Sequence, residues 1–287
     1  MLKIGTTQAV YCDKYGFREG LERMKTHGFD SMDYQEFIET ATPLFEKSTS
    51  QFEAYLKEER KILEAVGIGV HQTHGPWRYP PQDANVADRE ERFEKMVRSM
   101  EGTAILGCDR MVLHSLMPFS RNDQGHEKES YEMNLEFMGR ICEAAKERGI
   151  IICFENMPMP ELSLGSVPAV VDFVKTINSD HFKICLDTGH SNMFSYSAGD
   201  CVRMIGKEYL YALHIHDNDG VRDRHWSPFS GIVDWQDFGK ALAEIRYEGV
   251  ISLETKVSNA IPDELREYEE IGLYKKAKYI SELASHF

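Results

Sequence analysis

Within Ala212–Pro228, ALHIHDNDGVRDRHWSP, three histidines and three aspartates fall in seventeen residues. His214, His216 and His225, with Asp217, Asp219 and Asp223, are side-chain types that ligate divalent metals or move protons. More of the same types stand at the ends of short apolar runs. His74 closes GVHQTH, His114 closes RMVLH and Glu155 closes IICFE. Asp187 and His190 follow in KICLDTGH, and Glu254 and Lys256 in VISLETK. Imidazoles mixed with carboxylates, without a thiolate pair, suit Zn²⁺, Mn²⁺, Co²⁺ or Fe²⁺ better than Ca²⁺ or Mg²⁺.

Bringing these residues together requires a particular scaffold. Eight β-like runs punctuate the chain: residues 2–5, 31–33, 69–72, 110–114, 150–154, 183–186, 211–215 and 250–253. Helical patterns lie between them, for instance at 51–65, 92–106, 131–148, 167–177 and 235–244. Glycine follows His27, Val66, Arg148 and Glu248, where helices feeding parallel strands are expected to stop. Eight such units at a mean of roughly 36 residues fit an α/β fold made of one (β/α)₈ TIM barrel over residues 1–287. No GxGxxG follows an early strand, which argues against a dinucleotide-binding sheet.

A barrel predicts that chemistry sits at the C-terminal ends of its strands, on inward-facing positions. Side chains alternate along a strand. Met111, Leu113, Ile152, Phe154, Ile184, Leu186, Ile251 and Leu253 should then face the helices. Val112/His114, Cys153/Glu155, Cys185/Asp187, Ala212/His214/His216 and Ser252/Glu254 should face the axis. Small residues below and a ligand-type residue on top recur in five strands. Carboxylates crowded at one mouth need cations or shared protons, so a metal site is expected there. His71, out of phase with His74, is expected against the helices. Asp33, ending the second strand, is expected to contact substrate or cap a turn. Asp217, Asn218 and Asp219 need only form a turn, and Asp234 should cap the helix starting at Trp235.

The formal charge of −14 argues against a nucleic-acid partner, whose phosphates draw affinity from Lys and Arg. Six dispersed cysteines without a CxxC pair suggest reduced thiols and a cytoplasmic location. No apolar run of about 18 residues is present to span a membrane, and no signal peptide is expected.

The motifs CFENMP, CLDTGHSN, LHIHDNDG, DRHWSPFSGIVDW and SLET, in this order, resemble the xylose isomerase-like barrel superfamily over essentially the whole chain. That superfamily holds sugar isomerases and epimerases together with endonuclease IV. The resemblance implies one metal held by Glu155, Asp187, His214 and Glu254, the two glutamates also serving as acid and base. The endonuclease likeness implies two further metals, one on His74, His114 and Glu155 and another on His190, Asp223 and His225. Two departures lean toward sugars. His216 stands where the endonuclease has a neutral Asn, and HxxPxxGxxDW from His225 to Trp235 is similar to the turn of sugar isomerase-like members. In that turn Phe229 replaces a usual glycine.

The expected activity is a divalent-metal-dependent isomerase or epimerase of a small carbohydrate, using one to three Mn, Co or Zn ions and an enediolate. His216, Lys256, Trp77 and Asp33 are the expected substrate contacts, and Arg78, Arg121 and Arg224 are candidate phosphate clamps. A zinc phosphodiesterase acting on abasic DNA and a keto-polyol dehydratase are the alternatives.

Overall fold

A computed structural model describes residues 1–258 and 260–285. Its strands are β1 (Lys3–Thr7), β2 (Ser31–Tyr34), β3 (Gly69–His74), β4 (Arg110–Leu113), β5 (Ile151–Glu155), β6 (Phe182–Asp187), β7 (Leu210–His214) and β8 (Val250–Leu253). All pair in parallel in the order β7-β6-β5-β4-β3-β2-β1-β8. The remaining seam closes where the Ile215 N–H donates to the Ser252 carbonyl (2.9 Å) and the Glu254 N–H to that of Ile215 (3.1 Å). The result is the expected (β/α)₈ barrel, with every strand at or within two residues of its expected bounds.

Around it run α1 (Ala9–Tyr15), α2 (Phe17–His27), α3 (Thr49–Val66), α4 (Val86–Ile105), α5 (Glu127–Arg148), α6 (Val167–Ile177), α7 (Thr188–Asn192), α8 (Ala198–Tyr209), α9 (Trp235–Glu244) and α10 (Asp263–Leu283). Gly28, Gly67 and Gly149 end helices with left-handed φ of 107°, 77° and 66°, as their positions predict. Gly249 does not. α9 stops at Glu244, and the chain reverses through Arg246 at φ 55° instead. Asp234 caps α9, accepting from the N–H groups of Gln236 and Asp237. Among the described residues no helix is long and apolar enough to cross a membrane.

Alternation along the strands splits the core in two. Met111, Leu113, Ile152, Phe154, Ile184, Leu186, Ile251 and Leu253 join the large cluster under the helices. Val112, Cys153, Cys185 and Ala212 form a separate, small-residue plug inside the barrel. Burying each large apolar side chain of the outer layer contributes about 1.5–3 kcal/mol, so this layer holds the strands and fixes the direction of the mouth residues. All six cysteines are free, five of them buried.

The alternation breaks at register shifts between β2 and β3 and between β6 and β7, and the first displaces His71. Met32 pairs with Val70 but Asp33 pairs with Gln72, so the register between β2 and β3 skips His71. The expectation that His71 packs against helices fails for that reason. Its Nε2 lies 2.8 Å from Ser252 Oγ inside the barrel, and its ring covers Gly5 so closely that a Cβ there would sit 2.3 Å from it. The same shift lets Gln72 reach inward to Asp33.

Candidate metal centre

Above the small-residue plug, the strand ends deliver Glu155 from β5, Asp187 from β6 and His214 from β7, with Glu254 one residue beyond β8. One ligand atom from each lies within 4.8 Å of every other. His214 Nδ1 is 2.9 Å from Glu155 Oε1 and 3.5 Å from Glu254 Oε2. Asp187 Oδ1 caps α7 by accepting from the His190 N–H (2.6 Å), while its Oδ2 is buried without a partner. Asn156, which no sequence pattern singled out, holds Asp187 from both sides: its amide donates to the Asp187 carbonyl (3.0 Å) and accepts from the Asp187 N–H (2.9 Å).

Two more groups adjoin this one. His74 Nε2, His114 Nε2 and Glu155 Oε2 form a triangle with sides of 3.2, 2.8 and 3.6 Å. The other brings the Nε2 atoms of His190, His216 and His225 to within 3.0–3.5 Å of the Asp223 carboxylate. A tetrahedral ion with N and O ligands at about 2.0–2.1 Å holds them roughly 3.3 Å apart, so these spacings suit one. The outer nitrogens are tied as well. Nδ1 of His74, His190 and His225 faces the carbonyls of Gly75, Asn156 and Glu254 at 2.8–2.9 Å, which makes Nε2 the nitrogen that would face a cation. Both ring nitrogens of His216 are buried without a hydrogen-bond partner. The donor set fits divalent cations.

Electrostatics agree. Burial alone would push the Glu155 carboxyl up, but the His214 and His114 imidazoles outweigh it and hold it well below the usual carboxylate range. Asp187 and Asp223 are likewise lowered against burial, Asp187 by His190 and His216 and Asp223 by His190 and His225. Against burial, neighbouring carboxylates raise His190 to about 10 and His225 to about 9. His114 goes the other way, pushed down to about 4 chiefly by burial, and stays neutral. Burial drives the Cys185 thiol well up, so no thiolate competes as a ligand. With no Lys or Arg inside these groups, protons on imidazoles balance the carboxylates, and a cation would displace them.

The groups open into a cavity of about 510 Å³, within the range of small-molecule sites. His74, His114, Glu155, His190, Asp223, His225 and Glu254 line it, and Lys256 and Trp77 do so as expected. Asp33 and His216 do not. Asp33 is wholly buried beneath His214, and His216 is sandwiched between Gly189 and the His225 ring, whose centroid is 4.1 Å away. Missed from sequence were Gln35, whose Nε2 donates to Glu254 Oε1 (3.4 Å), and an apolar wall of Met157 and Met159. The NMPMP run after Glu155 was the available signal for that wall. Of the three arginines, Arg78 pairs with Glu91 and Asp83, and Arg224 with Asp219. Arg121 lines the cavity, bonded to Tyr79 Oη (3.2 Å).

The loop after β7 is more than a turn. The buried Asp217 accepts from the N–H groups of Asn218 (3.0 Å) and Val233 (3.1 Å) and from Trp235 Nε1 (3.0 Å). The Asn218 amide donates to the Gly189 carbonyl (2.8 Å). Phe229 adopts the left-handed φ of 68° that a glycine would occupy without strain, its ring packed on Trp235 and Tyr279.

Residues 21–277 match the family described as xylose isomerase-like TIM barrel. An uncharacterized protein of Methanocaldococcus jannaschii is 29% identical over 96% of this chain and 92% of its own. A D-psicose 3-epimerase of Agrobacterium fabrum is 26% identical over 88% and 84%. A crystal structure of a D-psicose 3-epimerase with D-fructose superposes with a TM-score of 0.80 at 21% identity, covering 99% of this chain and 100% of that one.

Proposed function

On the premise that the chain belongs to the xylose isomerase-like TIM barrel family, we propose that it is a divalent-cation-dependent sugar isomerase or epimerase. The observation that carries this is the placement of Glu155 and Glu254, on β5 and just after β8, on one cavity, within one group of four potential cation ligands with Asp187 and His214. Its similarity to D-psicose 3-epimerases over most of both chains supports the same chemistry.

Glu155, Asp187, His214 and Glu254 would hold the cation. When bound it supplies Lewis-acid stabilisation of the negative charge that builds on a ketose carbonyl oxygen as the neighbouring C–H bond breaks. One glutamate takes that proton and the other returns one to the opposite face, so that the carbon leaves inverted. Gln35 steadies Glu254 for this exchange by donating to Oε1. Trp77 offers a ring face for the sugar's C–H surface, and Lys256 and Arg121 donate to its oxygens. The His74/His114/Glu155 and His190/His216/Asp223/His225 groups would offer additional cation positions.

The test is turnover of a ketose panel by the purified protein, by Glu155→Gln and by Glu254→Gln, with and without a chelator. Both variants are expected to fall at least about 10²-fold, the lower end for general acid–base catalysis, and chelation to abolish turnover. Full activity in either variant overturns the acid/base assignment. A second reading, phosphodiester hydrolysis, draws on the two additional donor groups. Bound zinc near three per chain with cleavage of abasic duplex would establish it, and loss of water from inososes would establish a dehydratase.

A further inference from the structure

Asp33 is an ionisable side chain with no access to the cavity, no Lys or Arg partner, and one oxygen, Oδ1, buried without a hydrogen bond. Its other oxygen, Oδ2, faces two donors: His214 Nε2 at 2.8 Å and Gln72 Nε2 at 3.0 Å. Gln72 also reaches the Leu213 carbonyl at 3.4 Å, one residue before His214. The arrangement depends on the β2–β3 register shift, without which Gln72 would not stand beside Asp33.

A neutral imidazole carries one N–H, and the acceptor opposite each nitrogen decides which one bears it. An ionised carboxylate only accepts. Asp33 therefore keeps a proton on His214 Nε2, so that Nδ1, 2.9 Å from Glu155 Oε1 and 3.5 Å from Glu254 Oε2, is the nitrogen that would yield its proton to an entering cation.

We infer that Asp33, held by Gln72, is the positioning residue that fixes the Nε2–H form of His214 and so presents Nδ1 to the cation. The inference rests on the reading that Glu155, Asp187, His214 and Glu254 bind that cation. The negative charge behind the ring also makes Nδ1 a better donor to a metal. It explains why a carboxylate is buried where hydrogen bonding to a sugar is impossible, and it gives the register shift a purpose in the site.

Asp33→Ala removes the acceptor, and Asp33→Asn keeps the shape but offers an N–H as readily as a carbonyl. The dissociation constant for Zn²⁺, measured by competition with a chromophoric chelator, is expected to rise about 10–100-fold in both. Histidine-¹⁵N spectra of the Zn²⁺-loaded proteins supply a readout that a packing role would not move. The wild type should show a slowly exchanging Nε2–H on His214 with Nδ1 shifted by metal, and Asp33→Ala should lose the slow exchange. A Zn²⁺ affinity within twofold of wild type with the Nε2–H signal unchanged overturns the inference while leaving the cation site standing. A wild-type protein that takes up neither Zn²⁺ nor Mn²⁺ overturns the site and the inference together. Circular dichroism of the metal-free variants checks that the barrel is intact.

Discussion

Arg92 and Asp83 are both fully buried between the loop after β3 and α4, and their side chains bond each other, the guanidinium also donating to the Pro76 carbonyl (3.3 Å). Arg266 and Glu270 do the same on α10, with Arg266 also bonded to the Val10 carbonyl (2.9 Å). At the barrel mouth the ionisable partners of Glu155, Asp187, Glu254 and Asp223 are imidazoles, with no guanidinium or ammonium among them. The flank pairs its carboxylates with guanidiniums, which never lose their proton in a protein. The mouth pairs them with groups whose positive charge is a removable proton. A permanent partner serves rigidity, whereas a removable one leaves the carboxylates available to an exchangeable cation.

Removing a partner should therefore cost very different amounts in the two regions. Arg92→Met leaves the buried Asp83 with only Arg78, 3.7 Å away, and should lower stability by about 3 kcal/mol, the low end for breaking a buried pair, read from urea unfolding midpoints. Glu155→Gln should cost the metal-free protein less than Arg92→Met, because the imidazoles that lose their carboxylate can release their protons. Equal losses in the two variants would erase the distinction.

Glu59 tests the boundary from the flank side. It is buried and has no cationic partner; Tyr34 Oη donates to it at 2.6 Å. Burial raises its carboxyl from 4.5 to about 7, with the tyrosines opposing. Between those values the folded chain holds a proton that the unfolded chain has lost, so stability falls as pH rises through this window. At about 1.4 kcal/mol per unit the loss approaches about 3 kcal/mol by pH 8. Glu59→Gln should abolish that slope and be the more stable protein at pH 8, in denaturation curves taken from pH 4.5 to 8. An unchanged slope would show that Glu59 is ionised as ordinarily as a surface glutamate.

The mouth was the more legible of the two regions. Strand ends, helix-stopping glycines and strict alternation are local signals, and they place Glu155, Asp187, His214 and Glu254 on one rim without any knowledge of contacts. His71 was misplaced because its direction depends on a register shift between two strands, which neither strand's own pattern records. Asp217 looked like a turn residue because its partners Val233 and Trp235 lie sixteen and eighteen positions away. Arg92 and Asp83 carried no signal at all, since a charged pair nine residues apart is as common on a solvated surface. Local chemistry reads from the sequence, while the partner of a buried charge is a tertiary fact.

Gly189 sharpens the comparison at the smallest scale, because changing it alters no donor. Its backbone is ordinary helix, so conformational freedom is not why it is there. A Cβ at this position would lie 1.9 Å from Cε1 of His216. That ring cannot retreat freely, because His225 stacks on it and His225 Nε2 is 3.0 Å from Asp223. Gly189→Ala should thus push His216 and His225 together out of line with Asp223, costing about 1–3 kcal/mol as overpacking. It should also reduce bound Zn²⁺ at the His190/His216/Asp223/His225 group while the Glu155 group keeps its ion. Gly139 in α5, with nothing within 4 Å of its virtual Cβ, is the control, and Gly139→Ala should stabilise by about 0.5–1 kcal/mol with metal content unchanged. If Gly189→Ala matches that control in both stability and zinc content, the imidazoles at the mouth tolerate displacement and their alignment on Asp223 is not what binds the ion.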